Sequence, residues 1–218
     1  MNLLPDIQLP DANSTRGDAT VRFVHDDHRQ WYVLKSTYGR EEKAADILIE
    51  AGFYAYVAKR YERYADNGQS GESRLVLKSF IPNVLFAYLT PVEAQRLMDE
   101  NLRQSSPCPR LQNYADFFYT RPGEETDGTP IPLTVPEQPM HSFILATATC
   151  DERLYLLREG TFRVLDESDM LITEGKFRGV VGKRIRAYSQ QRVLINLNGL
   201  VFIGTPYIPL NFLQKLAS

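Results

Sequence analysis

The sequence predicts an α+β protein in two parts, a compact sandwich of strands and helices followed by a small β-barrel. Three observations carry this expectation. Across residues 30–102, β-rich runs and helical patterns follow one another in the order strand, helix, strand, strands, helix. From Arg153 onward, short β-rich runs alternate with turns and leave little room for helix. The chain has 218 residues, of which 43% are hydrophobic, enough to bury sizeable cores.

Each element has a local reason. Residues 1–29 mix prolines, polar residues and scattered charges without sustained periodicity, and are expected to form a flexible N-terminal tail. QWYVLKS (30–36) is short and rich in β-formers, hence a strand. REEKAADILIEAG sets Ala44, Ile47, Leu48 and Ala51 on one helical face, with Glu41 and Glu42 in the first turn and Gly52 past the end. FYAYVAKRYERY (53–64) reads as strand, and DNGQSGES (66–73) as turn. RLVLKSFIPNVLFAYL supplies one or two strands broken at Pro82, which cannot donate to a ladder. Thr90-Pro91-Val92-Glu93 is a capping box with proline at the first helical position, opening a helix to about Leu102 that buries Ala94, Leu97, Met98 and Leu102. LQNYADFFY (111–119) reads as a strand before a polar loop. PEQPMHSFILAT resumes a helical pattern with Met140, Phe143 and Ile144 on its apolar face and His141 at the surface. The runs LYLL, FRVL, MLIT, VVGKRIRAY, RVLINL and LVFIG follow as barrel strands.

Composition excludes several functions. No apolar run approaches the roughly 18 residues of a membrane span, and the N-terminus lacks the basic start and apolar core of a secretion signal, so a cytoplasmic protein is expected. Cys108 and Cys150 lie 42 positions apart without a CxxC pair, which suggests idle thiols. His25 and His28 in HDDH have no third ligand nearby and do not suggest a metal site. The net charge is −2, yet residues 174–218 hold seven Lys or Arg against the single acid Glu174. That excess fits a surface meeting nucleic acid or an acidic protein, and equally a solvated basic face.

The most distinctive stretch is GKFRGVVGKR, residues 175–184. Its glycines read G-x-x-x-G-x-x-G, neither the phosphate loop nor the dinucleotide fingerprint, and strands rather than a helix follow it. Glycines between β runs more simply shape turns or kinks. There is no paired Ser/His/Asp set, metal-ligand spacing or phosphate loop, so neither an enzyme nor a cofactor is expected.

ITEGKFRGVVGKRIRAYSQQRVLINLNGL resembles a KOW motif, the β-turn-β unit of NusG-type transcription elongation factors and some ribosomal proteins, with its core at Glu174, Gly175, Phe177, Gly179 and Gly182. Upstream, QWYVLKSTYGREEKAADIL resembles the first strand and helix of the NusG N-terminal domain, and SFIPNVLFAYL its Phe-Pro strand. Together the matches cover Gln30 to Leu216 in family order, and the closing TPYIPLNFLQKL resembles the UpxY-type antiterminators of capsular polysaccharide operons, within the NusG and RfaH superfamily.

The resemblance implies an NGN-type α/β sandwich, an antiparallel sheet flanked by helices, over 30–150, first barrel strands or linker over 151–169, and an SH3-like KOW barrel over 170–218. It implies a non-enzymatic factor that binds the clamp helices of RNA polymerase through Ile81, Pro82, Val84 and Phe86. Ile81 and Val84 stand where aromatics are usual, and the alternative is that this strand simply fills the core. For this contact, Phe86→Ala and a charge introduced at Val84 are expected to abolish polymerase binding while the domain still melts cooperatively. It further implies that Tyr38, Arg40 and Lys43 meet non-template DNA or a nascent RNA leader, with Thr37 replacing a basic residue. Arg60 and Arg63 in KRYER form a second such surface, against the alternative of plain solvation. The turn Gly175, Lys176, Phe177, Arg178, Gly179, Gly182, Lys183 and Arg184 would meet Rho, a small-subunit ribosomal protein or RNA. The β-propensity of 175–205 argues against a helical alternative for this part.

Overall fold

The structure is a computed structural model, and it describes residues 8–65, 73–99, 106–120 and 130–216. It is α+β, with antiparallel sheets and three α-helices among the described residues. In chain order the strands are β1 (Ala12–Asn13), β2 (Thr20–Val21), β3 (Gln30–Ser36), β4 (Tyr54–Tyr56), β5 (Lys59–Ala65), β6 (Ser73–Ser79), β7 (Val84–Leu89), β8 (Ala115–Phe117) and β9 (Thr134–Val135). The C-terminal set is β10 (Tyr155–Leu157), β11 (Phe162–Ile172), β12 (Val181–Ala187), β13 (Gln190–Asn196), β14 (Phe202–Gly204) and β15 (Leu213–Lys215). The helices are α1 (Glu41–Glu50), α2 (Pro91–Met98) and α3 (Glu137–Thr147).

The chain forms two compact units that are discontinuous in sequence: Pro10–Val57 with Ile81–Glu137, and Met1–Leu9 with Ala58–Phe80 and Gln138–Ser218. The β5–β6 hairpin thus groups with the C-terminal strands.

The first unit is built on the sheet β4-β7-β3-β8, with β9 also on β3. Its centre is apolar on both faces: every residue of β7 is buried, and so are Trp31 to Leu34 of β3. Paired residues in antiparallel strands share a face, so Trp31 with Tyr88 and Val33 with Phe86 line one side, while Leu34 with Leu85 lines the other. Helix α1 packs on β3, β4 and β7 through Ala44 and Leu48, as its spacing predicts. The capping box of α2 is formed: Thr90 Oγ1 accepts from Glu93 N at 3.2 Å, and Glu93 Oε2 accepts from Thr90 N at 2.8 Å. The helix ends at Met98, half-buried; Leu102 lies outside the described residues, as does the turn region 66–72.

The tail expected at the N-terminus is corrected for residues 10–29, which pack as structure. Asp46 on α1, 2% exposed, accepts from Thr15 N and Thr15 Oγ1 at 2.6 Å each, and Arg16 Nε lies 3.4 Å from it. Phe23 stacks on Trp31 and meets the Tyr88 ring at a tilt, Asp26 N donates to Tyr88 Oη, and Arg29 pairs with Glu93. These links are long-range side-chain matches, which a periodicity argument over the segment itself does not register.

Two expected strands are also redrawn. Residues 53–64 divide into β4 and β5, which belong to different sheets. Residues 111–119 hold a 3₁₀ turn at Leu111–Asn113 before β8.

In the second unit α3 buries Met140, Phe143 and Ile144 completely, as predicted, and Ser142 Oγ accepts from Val181 N at 3.0 Å. His141 is half-buried rather than a surface residue. The runs FRVL and MLIT fuse into the single strand β11, bent by register shifts around Asp166. The C-terminal strands pair in the order β10-β14-β13-β12-β11-β15. Among the described residues nothing joins β10 to β15, so this is an open sheet and not the closed barrel expected: each edge strand has only three residues, too short to complete a staggered ring.

Candidate nucleic-acid interface

Strand β3 ends in the loop Thr37 to Arg40, whose shape is fixed by its neighbours. Tyr38 and Gly39 both adopt positive φ, 56° and 67°. Asn83, itself at φ 62°, accepts from Ser36 N through its backbone at 2.8 Å and from Gly39 N through its side chain at 2.9 Å. Thr37 N donates to Tyr114 O at 3.2 Å. The loop is therefore clamped from two sides, and it projects Tyr38 with 90% of its surface exposed.

The Arg40 guanidinium lies 5.8 Å from the ring centroids of both Tyr38 and Tyr114. Planar cation–ring contacts of this kind preorganise arginine and leave its N–H edge to bind phosphate. Lys43 is exposed one turn into α1. Next to Tyr114 opens a cavity of about 240 Å³ lined by Arg16, Ile47, Glu50, Pro107, Arg110 and others. Of the predicted residues, Tyr38 and Arg40 are thus brought together beside exposed Lys43. Tyr114 and Asn83 join them, and neither is read from the sequence. Tyr114 was hidden inside a stretch that reads as strand, and Asn83 acts through a turn 44 residues from Gly39.

The other predicted sites fare differently. Val84 and Phe86 are 9% and 0% exposed, so they do not present the open apolar face assigned to the polymerase contact; Ile81 and Pro82 in the preceding turn do reach the surface. The physical reason is that β7 is a central strand buried on both faces. Arg60 donates to Glu62 at 2.8 Å and lies over Phe80, and Arg63 pairs with Glu152 at 3.2 Å, so carboxylates offset both charges.

The glycine-rich turn is mainly architectural. Gly175 and Gly179 take positive φ, 79° and 92°, and Gly179 N donates to Ile172 O at 2.7 Å. Phe177 is 5% exposed and belongs to the core, a correction to its role in partner binding. Lys176 pairs with the buried Asp151 at 3.2 Å, and Lys183 with Asp169 at 3.1 Å. Hydrogen bonds from Arg153, and then from Lys176, hold the Asp151 carboxyl far below the usual carboxylate range. Arg184 is half-buried opposite Asp166, its Nε shielded from solvent, and Arg178 is left exposed.

The cysteines are both free thiols, and burial pushes that of Cys108 up to about 12. His25 lies between Glu137 and Asp27 at 2.6 and 2.9 Å. No helix among the described residues is long and apolar enough to cross a membrane. Compared with protein-family models and with curated proteins, the chain matches none.

Proposed function

We propose that the protein is a cytoplasmic, non-enzymatic, operon-specific transcription elongation and antitermination factor of the NusG and RfaH type, acting at polysaccharide biosynthesis loci. In this reading the first unit is the NGN-type domain and the C-terminal strands are the KOW unit. The observation that carries it is the double hydrogen bond of Asn83. It ties the Tyr38–Arg40 loop, a basic and aromatic surface suited to non-template DNA or a nascent leader, to the Ile81-Pro82 turn, the exposed part of the polymerase contact. A factor that holds a single strand and the polymerase clamp through one rigid feature binds the elongating state better than the paused one, and so suppresses pausing and termination. Polymerase contact beyond Ile81 and Pro82 requires the face bearing Val84 and Phe86 to be uncovered.

The test is transcription through a terminator with purified polymerase, on templates with and without the operon leader. Readthrough that depends on the leader and falls in Tyr38→Ala and Arg40→Ala supports the reading. Equal readthrough on both templates points to a general elongation factor coupled to Rho. Failure to co-purify with polymerase, with association to ribosomal particles instead, points to an RNA-binding KOW protein.

A further inference from the structure

We infer that the tip of the β12–β13 hairpin, together with Tyr155, is a second nucleic-acid surface, a ledge on which bases of a single strand stack. Its residues all belong to the second unit, and none of them is part of the Tyr38 loop or of the glycine-rich turn.

Four observations converge there. Ala187 pairs with Gln190, so the hairpin turns through two residues, Tyr188 and Ser189, with φ of 51° and 61°. Tight turns of this shape favour glycine and asparagine, and β strands gain nothing locally from a tyrosine in a left-handed conformation. The turn instead displays Tyr188 with 61% of its surface exposed. Second, the ring of Tyr155, 37% exposed, lies 5.8 Å from that of Tyr188, which makes a two-ring ledge.

The third observation is charge. Arg192 is 3% exposed, and its guanidinium is held by Thr205 O at 2.7 Å, Gln190 Oε1 at 3.0 Å and Ala187 O at 3.4 Å, with the Tyr155 ring 4.4 Å away. Every one of these partners is neutral, so a full positive charge sits beneath the ledge without a carboxylate among the described residues. Fourth, Arg163 and Arg186 face each other directly across β11 and β12, both exposed. Like charges in that position repel unless an anion joins them.

Exposed rings over an uncompensated cation, with an arginine pair on the other face of the hairpin that leads into the turn, match a chain of planar bases on a phosphate backbone that wraps the tip. The bases stack on Tyr188 and Tyr155, and the backbone passes the hairpin tip to reach Arg186 and Arg163. Stacking of this kind is tolerant of sequence, so the ledge binds a single strand whatever its bases.

The experiment measures binding of a fluorescein-labelled uridine 12-mer to the full chain by anisotropy, in a Tyr38→Ala/Arg40→Ala background that isolates the ledge from the first surface. Tyr188→Ala is expected to weaken binding about ten-fold, with Tyr155→Ala similar, while Tyr188→Phe keeps it because the ring remains. The Arg163→Gln/Arg186→Gln double variant lowers the slope of log affinity against log salt by roughly 1.4, two single-strand phosphates' worth. Tyr188 is exposed, so its variants keep the wild-type melting temperature even if Tyr155→Ala, which uncovers Arg192, does not. Unchanged binding in Tyr188→Ala overturns the inference, as does a poly-glutamate peptide that binds in place of the oligonucleotide and depends on the same tyrosines.

Discussion

Gly182 shows no positive φ, yet a Cβ at that position would collide with the backbone carbonyl of Leu194 on the neighbouring strand. Gly175 has room for a methyl group, with the Phe212 ring 3.5 Å from where one would stand, and is glycine for its φ of 79°. Alanine at 175 is expected to cost about 1 kcal/mol, the penalty of a left-handed L-residue. Alanine at 182 forces β12 from β13 and is expected to cost about 3 kcal/mol by urea unfolding. Equal costs would show that close approach is not what Gly182 provides. Phe86 teaches a related lesson, because its residue type suits either an interface or a core. At 0% exposure it belongs to the core, and Phe86→Ala is expected to cost about 3–5 kcal/mol in the same assay, so folding does not survive it untouched.

At the scale of elements, α2 was legible because its signals are local. Thr90, Pro91 and Glu93 lie within four residues, and the box they predict is formed. Thr90→Ala is expected to lower stability by about 1 kcal/mol, seen as a shift of the urea midpoint at constant slope. The packing of residues 10–29 was not legible, since each anchor has its partner far along the chain. His25 is one anchor: its hydrogen bond to Glu137, and then that to Asp27, raises its pKa above 6.5. A group with a raised folded pKa stabilises fully below its unfolded value and loses that contribution as pH rises through the folded one. The urea midpoint should therefore fall as pH rises above about 6.5 in the parent protein, and fall less in His25→Gln. Parallel curves for the two proteins would remove His25 from the account.

Across the whole molecule, the basic excess of residues 174–218 is smaller in space than along the chain. Lys176, Lys183 and Lys215 pair with Asp151, Asp169 and Asp166, all from the preceding stretch, and Arg192 is buried. Arg178 and Arg186 keep exposed positions. Replacing Arg186 with Gln should lower the salt slope of single-strand binding by roughly 0.7 with little change in melting temperature, and replacing Arg178, in the glycine-rich turn, should leave the slope unchanged. Replacing Lys176 with Gln should also leave the slope unchanged but lower the melting temperature, because it leaves a 4%-exposed Asp151 carboxylate with one partner fewer. A salt slope that follows Lys176 instead would restore the glycine-rich turn as the contact surface.

By itself the sequence determined the α+β class, three helices, the order of most strands and the basic, aromatic character of the Tyr38 loop, because propensity, periodicity and capping act between residues a few positions apart. Only the tertiary structure decided which of those residues are available. It buried Val84, Phe86 and Phe177, paired Lys176 with Asp151, left the C-terminal sheet open, and joined Tyr38 and Arg40 to Tyr114 and Asn83. Burial, counter-charge and strand closure are set by neighbours that the chain brings from tens of residues away, and no local pattern encodes them.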